Sequence, residues 1–284
     1  MRHNIANPAS AAPRRAVLRY FGGKWAIAPW VMSHYPEHRV YVEPFGGAAS
    51  VLLRKPRSRI EVYNDLDEEI VGVFQVLQDP VQCQALVRRL KRMPYARCEF
   101  ERAFQPSRDP VIRAARAIAR AYMAFHHSAL FNPKKTTFAD ARHRSGQHCK
   151  AHEWMTYPRS LAAVTRRLQG VIIERRDALD VMRAQDSPAT LHFVDPPYLP
   201  ATRSDGGYRH ELTEQQHTEL LESLLGLKGM VVLAGYPSAL YDRMLTGWRR
   251  VERKHIAAGS KRGRTEVLWI NPRAVATPKT APNP

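Results

Sequence analysis

Short apolar runs alternate with amphipathic segments in the first part of the chain. Residues 39–43 (RVYVE) and 59–63 (RIEVY) predict strands, since β-branched and aromatic residues dominate them. A glycine turn at 45–49 (FGGAA) follows the first strand and opens a helix that we expect to end near Arg54. Residues 67–77 predict the next helix. This alternation is typical of a parallel sheet covered by helices.

The strand pattern stops after residue 79 and resumes at residue 170. Residues 80–168 hold Arg-rich helical segments, such as 111–125, around a polar loop. This composition predicts a helical domain inserted into the α/β fold. Further strands are predicted at 170–174, 190–194, 229–233 and 266–270.

The domain organisation follows from this interruption. Residues 14–79 and 169–272 are predicted to form the sheet domain, and residues 80–168 the helical insert. The termini, 1–13 and 273–284, are rich in Pro, Ala and charge and are expected to be flexible.

Positive charge is concentrated in the predicted insert. The chain carries a formal net charge of +18, and residues 80–170 hold eighteen Lys and Arg against five acids, a net +13. A balanced solvated surface mixes both signs, so this excess indicates a polyanion, and nucleic acid is the first candidate. No apolar run is long enough for a membrane span, and no secretion signal is present. A monomeric protein of the cytoplasm is expected.

The cysteines argue against thiolate chemistry. Cys83, Cys98 and Cys149 are odd in number and lack a C-x-x-C spacing, so neither a disulfide framework nor a thiolate metal cage is predicted. His143, His148 and His152 lie among basic residues without a paired ligand motif. We therefore expect no metal site.

The turn after the first predicted strand favours a nucleoside-containing cofactor. Residues 43–50 place small residues between a strand and a helix, where a ligand can approach the backbone closely. Asp65 ends the next strand about 20 residues later, where a carboxylate can accept hydrogen bonds from ribose hydroxyls. A nicotinamide dehydrogenase shares both features, and a structural turn with a helix cap at Asp65 or Asp67 explains them without a ligand.

The tetrapeptide Asp195-Pro196-Pro197-Tyr198 directly follows the strand at 190–194. Two prolines remove two N–H donors, hold the backbone extended and leave carbonyl groups as acceptors. The Asp195 carboxylate and the Pro196 carbonyl can then receive the two hydrogens of an exocyclic amine. Tyr198 offers a flat face for an extruded base. A dehydrogenase has no use for this motif.

From about residue 17 to residue 272 these motifs, in this order, resemble the Dam-like family of adenine-specific DNA methyltransferases. The resemblance implies a Rossmann-like methyltransferase sheet that binds S-adenosylmethionine and transfers its methyl group to N6 of a flipped-out adenine in double-stranded DNA. Lys24 and residues 195–198 match the catalytic positions. The implied cofactor-binding positions are Tyr20 (where Trp is common), Phe21, Gly22, Gly23, Lys24, Glu43, Pro44, Phe45, Gly46, Gly47, Asp65, Asp177 and Asp195.

In this family the region between the cofactor motifs reads the target sequence, so the basic insert is expected to contact DNA. The loop after Tyr198 is expected to approach the flipped base and the phosphates. The DNA-contacting candidates are Arg113, Arg116, Arg120, Lys134, Lys135, Arg203, Arg209 and His210.

Two alternatives share parts of this pattern. An N4-cytosine or RNA amino-methyltransferase uses the same acceptor geometry, because the exocyclic amines are chemically similar, and only the methylated nucleoside separates it. A DNA-binding protein derived from a methyltransferase has no need of the cofactor turn, and cofactor binding distinguishes it.

Overall fold

A seven-stranded sheet organises the chain in the computed structural model, which describes residues 12–125, 130, 136–140, 149–202, 207–256 and 263–276. The strands are β1 (Val40–Glu43), β2 (Ile60–Asn64), β3 (Val171–Glu174), β4 (Thr190–Val194), β5 (Met230–Gly235), β6 (Arg249–Ile256) and β7 (Gly263–Ile270). The helices are α1 (Ala28–Ser33), α2 (Glu68–Gln78), α3 (Pro80–Arg92), α4 (Arg97–Arg102), α5 (Pro110–Met123), α6 (Lys150–Thr156), α7 (Leu161–Leu168), α8 (Ala178–Ala184), α9 (Glu214–Gly226), α10 (Ala239–Met244) and α11 (Pro272–Ala276), with 3-10 turns at Tyr157–Ser160 and Pro200–Thr202.

The strand order is β3-β2-β1-β4-β5-β7-β6. The first five strands of this order are parallel, and β7 runs antiparallel to both β5 and β6. The sheet grows to one side from β1 and to the other side from β4. In such sheets ligands bind outside the carboxyl ends of the strands where the order reverses. The gap between the ends of β1 and β4 is therefore the expected site.

The predicted α/β class is confirmed, with one strand missed and one helix wrong. Strand β6 (RRVERKHI) was not predicted, because charged residues outnumber apolar ones at this sheet edge. The glycine turn predicted at 45–49 is present, with Gly47 and Ala49 at φ of 46° and 51°. The helix predicted after it, ending near Arg54, is instead a series of turns, with Leu53 N–H bonded to the Ala49 carbonyl at 3.0 Å.

One apolar cluster covers a face of the sheet. Leu220, Leu221 and Leu224 project from α9 at helical spacing and pack in the same buried cluster as Val231 of β5 and Trp269 of β7. Thr213 begins α9 with a capping box, in which its hydroxyl accepts from the Gln216 N–H. This packing fixes the strands whose carboxyl ends form the site.

The chain divides into two compact units. One consists of residues 21–71 and 170–284 and contains every strand of the sheet. The other consists of residues 1–20 and 72–169 and contains α3 to α7, so its boundary lies at 71/72, whereas composition places it at 79/80. None of the helices in the described parts of the chain is long and apolar enough to span a membrane.

Candidate active site

The turn after β1 is fixed by hydrogen bonds to the end of β2. Gly46 N–H donates to the Asn64 carbonyl at 2.7 Å, and the Tyr63 hydroxyl donates to the Gly47 carbonyl at 2.7 Å. A Cβ atom on Gly46 would lie 2.1 Å from the Tyr63 ring, so only glycine fits there. The glycines therefore serve close packing of this turn as well as any approach by a ligand.

Asp65 lies against the same turn. Its Oδ2 accepts from Gly47 N–H at 2.8 Å and its Oδ1 from Asp67 N–H at 2.8 Å. Burial raises the pKa of Asp65, and these two hydrogen bonds oppose that rise. Each carboxylate oxygen keeps a further acceptor site for a ligand hydroxyl. Nearby, the buried Oδ2 of Asp67 accepts no hydrogen bond from the described residues.

Asn64, the last residue of β2, joins two loops at this edge of the sheet. Its side-chain amide donates to the Pro44 carbonyl at 2.9 Å and to the Arg176 carbonyl at 3.0 Å, and its Oδ1 accepts from Arg176 N–H at 2.8 Å. The loops after β1 and β3 are thus held to the end of β2. Asp177 follows on the β3 loop and caps α8 by accepting from the Leu179 and Asp180 N–H groups. Sequence patterns did not identify Asn64, since a lone buried Asn carries no motif.

Lys24 meets two carboxylates beyond β4. Its Nζ lies 3.0 Å from Asp195 Oδ1 and 3.3 Å from Glu266 Oε1, and it donates to the Gly22 carbonyl at 2.9 Å. Burial works to lower the pKa of Lys24, but Asp195 and Glu266 outweigh it and the pKa is raised, so Lys24 stays cationic. The predicted pair Lys24 and Asp195 is therefore in contact. Glu266 was not predicted as a site residue.

The Asp195 carboxylate is held partly desolvated with spare acceptor capacity. Its side chain is 18% exposed, and its Oδ1 is buried 3.0 Å from Lys24 Nζ, which is its ion-pair partner. Burial raises the pKa of Asp195, Lys24 lowers it and Glu266 raises it, and the net direction is upward. Each carboxylate oxygen has two acceptor sites, so Asp195 can accept from a ligand as well as from Lys24.

Tyr198 is buried against the same group. Its hydroxyl donates to Glu266 Oε1, Lys24 Nζ lies 4.7 Å from its ring centroid, and the Tyr236 ring meets it edge-on at 4.6 Å. The ring is 4% exposed. This arrangement differs from the predicted open face, because a base can stack on Tyr198 only if a neighbour moves.

Glu43 ends β1 in a polar network. Its Oε2 accepts from the Tyr41 hydroxyl and from Leu52 N–H, each at 3.0 Å. Burial raises the pKa of Glu43 to about 8, despite these two hydrogen bonds. Burial therefore favours the neutral form of Glu43, and its second oxygen has no hydrogen bond among those found for the described residues.

The segment after the 3-10 turn at Pro200–Thr202 packs on the glycines before Lys24. The Tyr208 ring meets Phe21 edge-on at 5.4 Å, and a Cβ atom on Gly22 would lie 2.5 Å from the Tyr208 hydroxyl. Gly22 also has a φ of 74°, so glycine is required there. Tyr208, which the sequence did not single out, thus contacts the predicted cofactor segment directly.

Arg209 binds carboxylates in this arrangement. Its guanidinium contacts Asp67 at 2.8 Å and Glu69 at 3.1 Å. A doubly paired Arg is poorly suited to hold a phosphate, so its predicted DNA contact does not match this placement. His210, the next residue, is exposed. Arg203 lies outside the described residues.

In the helical unit, α5 is largely buried. Arg120 is 7% exposed, its guanidinium donates to the Ala103 carbonyl, and it lies 5.6 Å from the centre of the Phe104 ring. This buried placement does not favour a DNA contact, and the contact of Arg120 with DNA stays a prediction. Arg116 donates to the Gln105 and Pro106 carbonyls at 2.8 Å, while Arg113 is half-buried. Lys134 and Lys135 lie outside the described residues.

Among the described residues of this unit, exposed cations are densest at the end of α3, where four basic residues lie within residues 88–92. These are Arg88, Arg89, Lys91 and Arg92. Such a run on one helix end is the stronger candidate for a nucleic-acid contact. The described residues contain no group of three or more His, Cys, Asp or Glu side chains that could hold a metal ion.

Comparison with known proteins gives consistent matches. The family described as D12 class N6 adenine-specific DNA methyltransferase matches residues 20–237. The chain is 23% identical over 270 residues to the DNA adenine methylase of Escherichia coli K12, covering 89% of this chain and 94% of that protein. It is 22% identical over 285 residues to that of Salmonella typhi, covering 93% of this chain and 98% of that protein. A 79-residue segment is 33% identical to the DNA adenine methylase of Vibrio cholerae O395, covering 28% of this chain and 27% of that protein.

Proposed function

The chain belongs to the D12 class N6 adenine-specific DNA methyltransferase family and is an enzyme that methylates adenine N6 in DNA, and we propose that it takes the methyl group from S-adenosylmethionine and acts on an adenine flipped out of the duplex. The relatives named as DNA adenine methylases support this reaction. The observation that carries the assignment of residues is the Asp195 carboxyl group directly after β4, with Lys24 Nζ 3.0 Å from its Oδ1.

Asp195 and the Pro196 carbonyl accept the two hydrogens of the target amine. This pairing draws the N6 lone pair out of conjugation with the ring and aims it at the incoming methyl group. S-adenosylmethionine, when bound, supplies an electrophilic methyl group whose departure leaves a neutral thioether. Both acceptors strengthen as positive charge develops on N6, so they favour the transition state over the ground state. The extended path imposed by Pro196 and Pro197 keeps the carbonyl outward.

The donor fits the groups gathered at the ends of β1 to β3. Asp65, with Asp67 beside it, offers acceptors for the ribose hydroxyls, and the buried Oδ2 of Asp67 has no donor among the described residues. Asp177, on the loop after β3, is assigned to the adenine of the donor. The remaining contacts are assigned to the loop of Glu43, Pro44, Phe45, Gly46 and Gly47 and to the segment from Tyr20 to Lys24.

Duplex DNA is assigned to the basic helical unit, with α3 as its principal contact. The exposed Arg88, Arg89, Lys91 and Arg92 supply four positive charges within one helix end, and each phosphate they neutralise releases counterions. A monomer acting in the cytoplasm needs no further partner for this reaction. Residues 80–168 then read the target sequence.

Methyl transfer to duplex DNA followed by nucleoside analysis tests the proposal. We expect N6-methyladenine to form with S-adenosylmethionine as donor. Asp195→Ala should abolish the product, while Asp180→Ala, which removes an exposed carboxylate on α8, should leave it unchanged. Methylated cytosine, or transfer to RNA alone, would overturn the substrate assignment. Full activity of Asp195→Ala would overturn the assignment of the acceptor.

A further inference from the structure

Glu266 is a buried acid at the start of the apolar half of β7. It lies in β7 next to Val267, Leu268 and Trp269, and it is 2% exposed. No motif of the sequence includes it. An ionised side chain in such a position needs partners that repay its desolvation.

The partners of Glu266 are the groups around the catalytic carboxylate. Its Oε1 accepts from the Tyr198 hydroxyl and lies 3.3 Å from Lys24 Nζ. Lys24 Nζ lies 3.0 Å from Asp195 Oδ1. One ammonium group thus faces two carboxyl groups, so acidic groups outnumber basic ones among Lys24, Asp195 and Glu266.

The arrangement determines which acceptor remains available to a substrate. An ammonium group has three N–H donors, and the Gly22 carbonyl takes one of those of Lys24 at 2.9 Å. If Asp195 were the only acid near Lys24, the lysine would compete with the target amine for its oxygens. Glu266 gives Lys24 a second anion, so Asp195 can bind the amine without leaving Lys24 unpaired.

We infer that Glu266 is a positioning residue for methyl transfer, which holds Lys24 and the Tyr198 hydroxyl so that Asp195 stays open to the target amine. This inference rests on the proposed role of Asp195. Glu266 itself touches neither the amine nor the donor in this assignment. It acts through Lys24 and Tyr198.

A second buried Glu–Lys pair shows what a purely structural pair looks like in the same unit. Lys55 Nζ contacts Glu61 Oε1 at 2.8 Å, and it also donates to the Pro56 carbonyl and the Ser58 hydroxyl. Glu61 accepts from Ser58 N–H as well. Arg57 also lies 3.9 Å from Glu61 Oε2, and the pair lies at the beginning of β2, opposite the carboxyl ends of the parallel strands. Glu61→Gln is therefore a matched control for Glu266→Gln.

The test measures kcat, the dissociation constants for S-adenosylmethionine and for a duplex substrate, and the pH profile of kcat. For Glu266→Gln we expect kcat to fall about 10- to 100-fold, since the acceptor geometry at Asp195 is lost, with both dissociation constants within about twofold of wild type. The acid limb of the kcat profile should move to lower pH, because Glu266 raises the pKa of Asp195 and its charge is gone. Glu61→Gln should not shift that limb.

Glu266→Asp keeps the charge and retracts it by one methylene group. We expect an intermediate kcat with the acid limb unmoved, and this variant decides the matter if Glu266→Gln does not fold. Wild-type kcat in either Glu266 variant would overturn the inference, as would equal losses in Glu266→Gln and Glu61→Gln. Asp195→Ala in the same assay separates a failure of the acceptor assignment from a failure of the role of Glu266. An active Asp195→Ala refutes the acceptor assignment, whereas an inactive one beside an unimpaired Glu266→Gln refutes only the role of Glu266.

Discussion

Lys24 and Asp195 come from opposite parts of the chain, yet the Lys24 ammonium lies 3.0 Å from the Asp195 carboxylate in the compact unit that contains the sheet. Burial raises the pKa of this carboxylate while Lys24 lowers it. The cation therefore keeps a buried acceptor ionised over a wider range of pH. This pairing makes the pH dependence of the enzyme predictable.

Activity should be lost on the acid side as Asp195 is protonated. The ionised carboxylate is the active form, so kcat is retained above the raised pKa of Asp195 and falls below it, at higher pH than the ordinary aspartate value of about 3.9. Lys24→Met removes the influence that lowers this pKa, so its acid limb should move further up in pH. The measurement is kcat against pH at saturating substrates. A Lys24→Met limb that shifts downward would contradict the assignment.

Donor affinity should depend on the acids at the end of β2. Asp65→Ala removes charge-assisted hydrogen bonds of about 1.5 to 3 kcal/mol each, so we expect roughly 10- to 100-fold weaker binding of S-adenosylmethionine and a smaller change in kcat at saturation. Calorimetric titration gives the dissociation constant. If Asp65→Ala binds normally and Asp67→Ala does not, the unsatisfied oxygen of Asp67 holds the ribose.

Arg209 and Arg88 should differ in their response to salt. Arg88 is exposed on α3, so Arg88→Ala should weaken binding to all duplexes and reduce the slope of log K against log salt by about one. Arg209 is paired with Asp67 and Glu69, so Arg209→Ala should leave that slope unchanged and weaken donor binding. A slope reduced equally in both variants would show that Arg209 leaves its carboxylates to contact DNA.

Arg120 should matter for stability more than for DNA binding. Its buried guanidinium satisfies the Ala103 carbonyl and packs on Phe104, so Arg120→Met leaves a buried acceptor unpaired. We expect a loss of about 1 to 3 kcal/mol in the free energy of unfolding. Chemical denaturation measures this loss, and the salt dependence of DNA binding by the folded variant should equal that of wild type. A changed salt slope without a stability loss would restore Arg120 as a DNA contact.

Periodicity and short motifs predicted the sheet and the principal site residues. Apolar runs such as residues 190–194 gave strands with correct ends, and the motif at 195–198 fixed the position of Asp195 after β4. Local pattern failed for the helix expected after the glycine turn, where residues 50–54 form turns. It failed again for β6, a charged strand at the edge of the sheet.

The missed site residues share a physical reason. Glu266 and Asn64 acquire their roles from tertiary contacts, Glu266 with Lys24 and Tyr198, and Asn64 with the Pro44 and Arg176 carbonyls. A single polar residue in a strand has no spacing that marks such partners. The burial of Arg120 was missed for a related reason, because helical spacing does not show which face of α5 is buried.

The most direct test of the proposed mechanism is the effect of Asp195→Ala on binding and transfer together. The carboxylate is assigned to the target amine, so methyl transfer should be abolished while S-adenosylmethionine binds with the wild-type dissociation constant. Asp195→Asn should retain a trace of activity, since its amide oxygen can still accept a hydrogen bond. Loss of donor binding in parallel with activity would contradict this mechanism and place Asp195 in the donor site.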